Sequence, residues 1–210
     1  MKPRTLDTIG VMLVWLAIGG CVAKTQAERV DVPVIRNVQG GGPVADMKSR
    51  LADWSIIQGE DTVGMGHYCG HGLHSQIRNQ HGGTNRVNAI YLGDGVAYVW
   101  PEPAGIRLSS VVRGPMPAYA NARQHWENQP LYLVDELGAY FWGTSAGLWA
   151  NDRSSRTRSS YTLARQLLAQ CRRLVVMCRQ RGYSHTDELN GVVESAAKSM
   201  DRMGRMLGER

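Results

Sequence analysis

Residues 67–79 read His67-Tyr68-Cys69-Gly70-His71-Gly72-Leu73-His74-Ser75-Gln76-Ile77-Arg78-Asn79. The three histidines are four and three residues apart, so on a helix they leave from nearly one face. The pattern predicts a helix from about Thr62 to Asn79, stopped by Gly82-Gly83, although glycines at 64, 66, 70 and 72 weaken its propensity. Two neutral imidazoles one turn apart can hold one zinc ion, whose bonds to nitrogen are about 2 Å long. The same spacing also suits a polar helix that carries histidines and no metal, because such pairs recur by chance. Cys69 leaves the helix roughly 160° to 200° away from His67 and His71, which fits a buried thiol better than a ligand.

Outward from this block, Asn88–Leu92 and Val96–Trp100 flank Gly93-Asp94-Gly95 and predict a β-hairpin closed by Pro101. Helices are expected over Ala118–Glu127 and Leu131–Leu148, with Pro130 at the start of the second. Leu163, Leu167, Cys171, Leu174 and Cys178 stripe a long helix ended by Gly182. Leu189, Val193, Ala196, Met200 and Met203 stripe a last one, with Ser184 and Asp187 as a capping pair. Upstream, Met47, Leu51, Trp54 and Ile57 mark a first amphipathic helix ended by Gly59. The expected fold class is α+β, mostly helical, with a short hairpin sheet.

Taken in order, the histidine block, the hairpin and Gln129-Pro130-Leu131-Tyr132-Leu133-Val134-Asp135-Glu136-Leu137-Gly138-Ala139-Tyr140 resemble a family of bacterial secreted zincin-like metalloproteins. In that family a H-E-x-x-H-G helix precedes an edge-strand hairpin and a helix bearing D-E-x-x-A-Y. The resemblance covers roughly residues 60–150. It implies a zincin-like domain over 45–210, a zinc cofactor, His67 and His71 as the first two ligands and Glu136 as the third. His74 is an alternative ligand within the same block.

At position 68 the zincin pattern needs glutamate as the general base of hydrolysis, and this chain has Tyr68. A phenol, with a reference pKa of about 10, is a poor base at neutral pH, and losing such a base costs about 10² to 10⁴ in rate. Three alternatives follow. The site holds zinc with little or no catalysis and binds peptides or envelope partners along the hairpin edge by strand addition. Or Asp135 serves as the base, with Tyr68 as proton donor or oxyanion stabiliser. Or no metal binds, and the chain is an envelope lipoprotein acting only through protein contacts. Asp135 is otherwise an acceptor that orients a ligand histidine or a helix N-terminal carboxylate, and Tyr140 faces either the site or the core. His81, His125 and His185 are expected on the surface or in loops.

The N-terminus addresses localisation. Lys2 and Arg4 precede an apolar run from Ile9 to Ile18, which is the length of a signal-peptide core and too short to span a bilayer. Ile18-Gly19-Gly20-Cys21 resembles the lipobox of bacterial lipoproteins, which implies a signal peptide over 1–20, lipid on Cys21 and membrane attachment through it. Val22 in place of aspartate favours the outer membrane where there is one. Residues 21–44, with Gly40-Gly41-Gly42-Pro43, are expected to form a flexible stalk. The remaining cysteines, 69, 171 and 178, are an odd number, and the last two lie about 10 Å apart along a helix, so core thiols are expected. Net charge is +6, with eight arginines between 153 and 181. They suit a solvated helix face better than an acidic lipid or polyanion surface, and no interleaved aromatics suggest nucleic acid.

Overall fold

The computed structural model describes residues 28–31, 62–81, 87–93, 96–114 and 125–209. The expected signal segment with Cys21, the helix over Met47–Ile57 and most of the helix over Ala118–Glu127 lie outside these residues. In chain order the described elements are β1 (Glu28–Asp31), α1 (Thr62–His81), β2 (Val87–Tyr91), β3 (Val96–Pro101), the short α2 (Leu108–Val111), α3 (Tyr132–Trp149), α4 (Ser155–Gln180) and α5 (Thr186–Leu207). The class is α+β and mostly helical, as the periodicities predict.

The sheet is antiparallel in the order β1-β3-β2. Ile90 pairs with Tyr98 across the hairpin, and Glu28 pairs with Val99 on the other side of β3. Part of the expected stalk is therefore a strand. Within it only Val30 is β-branched, and the charges of Glu28, Arg29 and Asp31 hide the signal. The hairpin is an inner layer. Ala89, Tyr91, Ala97 and Val99 pack with Cys69 and Ile77 of α1 and Trp142 of α3, whereas Ile90 and Trp100 join the main core with α3, α4 and α5.

Helix α3 runs through the middle, and nearly every residue from Leu133 to Gly147 is buried. It is apolar on all sides because it has neighbours on all sides. Its first turn has no side-chain cap of its own; Glu102, just after β3, accepts from Leu131 N–H at 3.0 Å instead. The glycines that lower the propensity of α1 allow it to approach α3 closely. A Cβ on Gly66 would lie 2.5 Å from Ala146 Cβ, and one on Gly70 would lie 2.9 Å from Ala139 Cα. Tertiary packing thus outweighs intrinsic preference at these two positions.

Ser154 caps α4, accepting from Arg156 N–H at 3.2 Å, and Gly182, with φ 67°, follows its end. The expected Ser184/Asp187 pair does not cap α5. His185 occupies the cap position without a side-chain cap bond, and its Nδ1 lies 3.1 Å from Glu188 Oε2. His185 is also buried, not a surface residue, because its ring packs edge-on against Tyr183. Cys69, Cys171 and Cys178 are buried free thiols.

The arginine-rich face of α4 has an arrangement the sequence reading missed. Arg158, Arg165, Arg172 and Arg179 lie seven residues apart and meet Glu209, Asp201, Glu194 and Asp187 of the antiparallel C-terminal segment at 2.5, 3.3, 2.9 and 3.6 Å. The near-heptad spacing of both sets was the available signal. Among the described residues, no helix is long and apolar enough to cross a membrane.

Candidate metal centre

Close packing of α1 on α3 brings the two halves of the site together. His67 and His71 leave α1 one turn apart, and their rings meet edge to face with centroids 4.8 Å apart. Glu136 projects toward them from the first turns of α3. One ligand atom from each of the three residues can be chosen so that all lie within 4.8 Å of one another, and the group could hold a metal ion.

A tetrahedral ion with bonds of about 2.0 to 2.2 Å places its donor atoms about 3.4 Å apart. His71 Nε2 and Glu136 Oε1, at 3.6 Å, already match. The widest pair would have to close by roughly 1.4 Å, within the reach of a side-chain rotation. Two imidazoles and one carboxylate form a donor set suited to zinc that leaves a fourth position free. His67 also carries a buried ring nitrogen, Nδ1, with no hydrogen-bond partner. Such an atom is costly to leave unpaired.

Asp135, only 3 % exposed, sits behind the site. It accepts from His71 Nδ1 through Oδ2 at 3.0 Å and from His74 Nδ1 through Oδ1 at 2.7 Å, with Arg78 Nη1 3.5 Å from Oδ2. With its Nδ1 proton directed at Asp135, His71 presents Nε2 to Glu136 and the site. This is the carboxylate–histidine arrangement that orients metal ligands. Both oxygens of Asp135 are thus engaged by histidines, an arrangement that suits an orienting acceptor better than a base. Burial alone would raise its pKa, but the hydrogen bonds and charges of His71 and His74 outweigh that and hold it well below the ordinary carboxylate range.

His74 lies outside the group that could hold an ion. It is fully buried, and its Nε2 accepts from Tyr91 N–H at 3.1 Å, so both ring nitrogens are occupied. The residues whose atoms could hold an ion are His67, His71 and Glu136.

Burial and the neighbouring His71 lower His67 to about 3, against a smaller opposing pull from Asp135, so at neutral pH its imidazole is neutral and able to ligate. For His71, burial is outweighed by the hydrogen bond and charge of Asp135 and by Glu136, and its pKa is raised. Burial, with Asp135 beside it, raises Glu136 against the opposing effects of His71 and Tyr132. Tyr132 donates its hydroxyl proton to Glu136 Oε1 from one turn earlier on α3. Burial and that carboxylate push the Tyr132 phenol far above its usual range. Tyr132 was not singled out in the sequence; its position four residues before Glu136 was the available signal.

Tyr140 takes the site-facing alternative. Its ring lies edge-on to His67 with centroids 4.3 Å apart, and burial together with Glu136 and Tyr68 raises its phenol. Tyr68 is 45 % exposed at the rim, its ring 5.7 Å from that of His67.

The hairpin edges are partly covered. β1 covers one side of β3. On β2, Ala89 N–H bonds to Asn88 Oδ1, Tyr91 N–H to His74, and Tyr91 C=O accepts from Trp142 Nε1. These three edge groups are met by side chains. Comparison with protein families, with curated proteins and with solved structures finds no match to this chain.

Proposed function

We propose that this chain is an exported, Cys21-lipidated envelope protein whose domain binds zinc in a degenerate zinc-peptidase-like site, with weak or no peptide hydrolysis. The observation that carries the metal reading is the convergence of His67, His71 and Glu136. Asp135, which aligns His71 from behind, supports it. Bound there, a zinc ion would supply Lewis-acid polarisation. What is missing is a base. Of the two carboxylates at the centre, Glu136 belongs to the ligand set and Asp135 is bonded to two histidines. Tyr68 occupies the position where hydrolysis by this type of site needs a carboxylate. Contacts with envelope proteins or peptides would use the exposed surface around Tyr68, the hairpin edge or the helical faces.

Elemental analysis of the purified mature protein tests the metal first: about one zinc per chain, bound or restorable, is expected, and none would overturn the proposal. A peptide-library cleavage assay of wild type beside Tyr68→Glu tests the catalytic half. Activity confined to the variant is expected, and equal activity in both would make the protein a working peptidase. Fatty-acid labelling of wild type but not of Cys21→Ser tests the anchor.

A further inference from the structure

His74 contacts the candidate site without belonging to the ligand set. Its Nε2 accepts from Tyr91 N–H at 3.1 Å, and Tyr91 is itself held by Trp142 Nε1, which donates to its carbonyl at 2.9 Å. Nε2 also lies 3.3 Å from Tyr91 C=O, but that contact is the longer one and the carbonyl already accepts from Trp142. A backbone N–H can only donate, so the shorter contact assigns Nε2 as the bare nitrogen and Nδ1 as the protonated one. That proton goes to Asp135 Oδ1, at 2.7 Å. The tautomer of His74 is thus set by strand β2.

We infer that His74 is a positioning residue for the metal: it pins Asp135 so that Oδ2 faces His71 Nδ1 and His71 Nε2 is left for the ion. This rests on the metal-binding reading above. Asp135 Oδ2 has a competitor, because Arg78 Nη1 lies 3.5 Å away. With Oδ1 anchored, the carboxylate plane is fixed and Oδ2 stays on His71. With Oδ1 released, the carboxylate is free to turn toward the guanidinium, and His71 loses the acceptor that sets its ring. The fold makes room for this ring at close quarters: a Cβ on Gly138 would stand 2.4 Å from His74 Cε1.

Two substitutions separate positioning from packing. The amide nitrogen of asparagine falls near the place of Nδ1, so His74→Asn keeps a donor for Asp135 and loses the acceptor for Tyr91. The amide of glutamine reaches the place of Nε2, so His74→Gln keeps the acceptor for Tyr91 and loses the donor to Asp135. Both remove the same buried ring. Zinc affinity is measured by chelator competition, Co²⁺ absorption reports the ligand geometry, and the melting temperature of each metal-free protein tracks folding. His74→Gln should bind zinc about 10- to 100-fold more weakly than wild type with an altered Co²⁺ spectrum, the loss typical of removing a partner behind a ligand. His74→Asn should stay within about threefold of wild type. Equal affinities of the two variants would overturn the inference while leaving the metal site standing. Absence of zinc binding by wild type would overturn both.

Should neither variant fold, long-range ¹H–¹⁵N spectra of wild type decide. A protonated Nδ1 and bare Nε2 on His74, unchanged when zinc shifts His71, are expected. A zinc-induced shift of His74 Nε2 like that of a ligand, or the opposite tautomer, would overturn the assignment.

Discussion

Replacing Asp135 with asparagine changes one atom's chemistry at the point where α1 and α3 meet. Its two oxygens accept from His71 and His74 at 3.0 and 2.7 Å. An amide has one acceptor and one donor, so one imidazole N–H would face an N–H. A charge-assisted hydrogen bond contributes about 1.5 to 3 kcal/mol, and the donor left without a partner costs about 1 to 3 kcal/mol. Exchange of tautomers on His71 could recover part of this by turning its bare nitrogen toward the amide, but its protonated Nε2 would then face the metal position. His74 has less freedom, because Tyr91 N–H holds its Nε2 as an acceptor. The expected loss is about 3 kcal/mol in the metal-free protein, or roughly 6 to 12 °C in melting temperature for a domain of this size. Zinc affinity should fall by about 10- to 100-fold. Urea unfolding of the metal-free variant and zinc competition on the same preparation measure the two effects separately. An unchanged stability would refute the hydrogen-bond network. A loss of stability with unchanged zinc affinity would show that Asp135 braces the fold without directing His71.

Further outcomes follow from the helix contacts and the buried charges. Gly66→Ala should destabilise by about 1 to 3 kcal/mol through overpacking, because its Cβ would meet Ala146 Cβ at 2.5 Å and Trp142 O at 2.7 Å, outweighing a helix-propensity gain of about 1 kcal/mol. Gly191→Ala on α5, with nothing within 4 Å, should instead stabilise by about 0.5 to 1 kcal/mol; chemical denaturation of the two should give opposite signs. A double-mutant cycle on Arg172 and Glu194, a bidentate pair at 2.9 Å, should yield a coupling of about 0.2 to 1 kcal/mol that shrinks in high salt, and coupling that persists there would refute a solvent-screened rung. Acid should weaken the metal-free fold. His67 has an ordinary value of 6.5 and a folded value of about 3, so the unfolded chain binds its proton first and stability falls as pH drops from 6.5 toward 3. His71, raised in the fold, adds stability below 6.5 that is lost as pH rises through its folded pKa, and it adds no slope once charged in both states. Asp135 adds stability above 3.8 that is lost on further acidification. Glu136, raised in the fold, takes its proton there first and offsets part of this decline down to its ordinary 4.5. Urea midpoints should therefore fall between pH 4.5 and 3.5, and a rise across that interval would contradict the burial of a neutral His67.

How much of this was legible depended on the range of each interaction. The spacing of His67 and His71 fixes their shared face within one helix, and Glu136 was found because a second motif placed it on another. Periodicity likewise located α1, the hairpin, α3, α4 and α5, since each pattern is local. The sequence offers Asp135 as an acceptor behind a ligand histidine among other roles, but the choice among them, and the role of His74, were not legible. Both depend on which nitrogen faces which oxygen across α1 and α3, and on Tyr91 of a strand that only the tertiary fold brings alongside. The four arginines of α4 looked unmatched in sequence because their acids lie in the C-terminal segment, 8 to 51 residues later, in reverse order. The glycines of α1 were the most misleading local signal, counted against the helix when they permit the contact with α3 that assembles the site. The same contact explains how His67, His71 and Glu136 are brought together. The ligand positions depend on helix packing, through Gly66, Gly70 and Gly138, and on the Asp135 bonds. Tyr68 is 45 % exposed beside His67, so it bears on the chemistry at the rim, while the contact of α1 with α3 holds His67, His71 and Glu136 together.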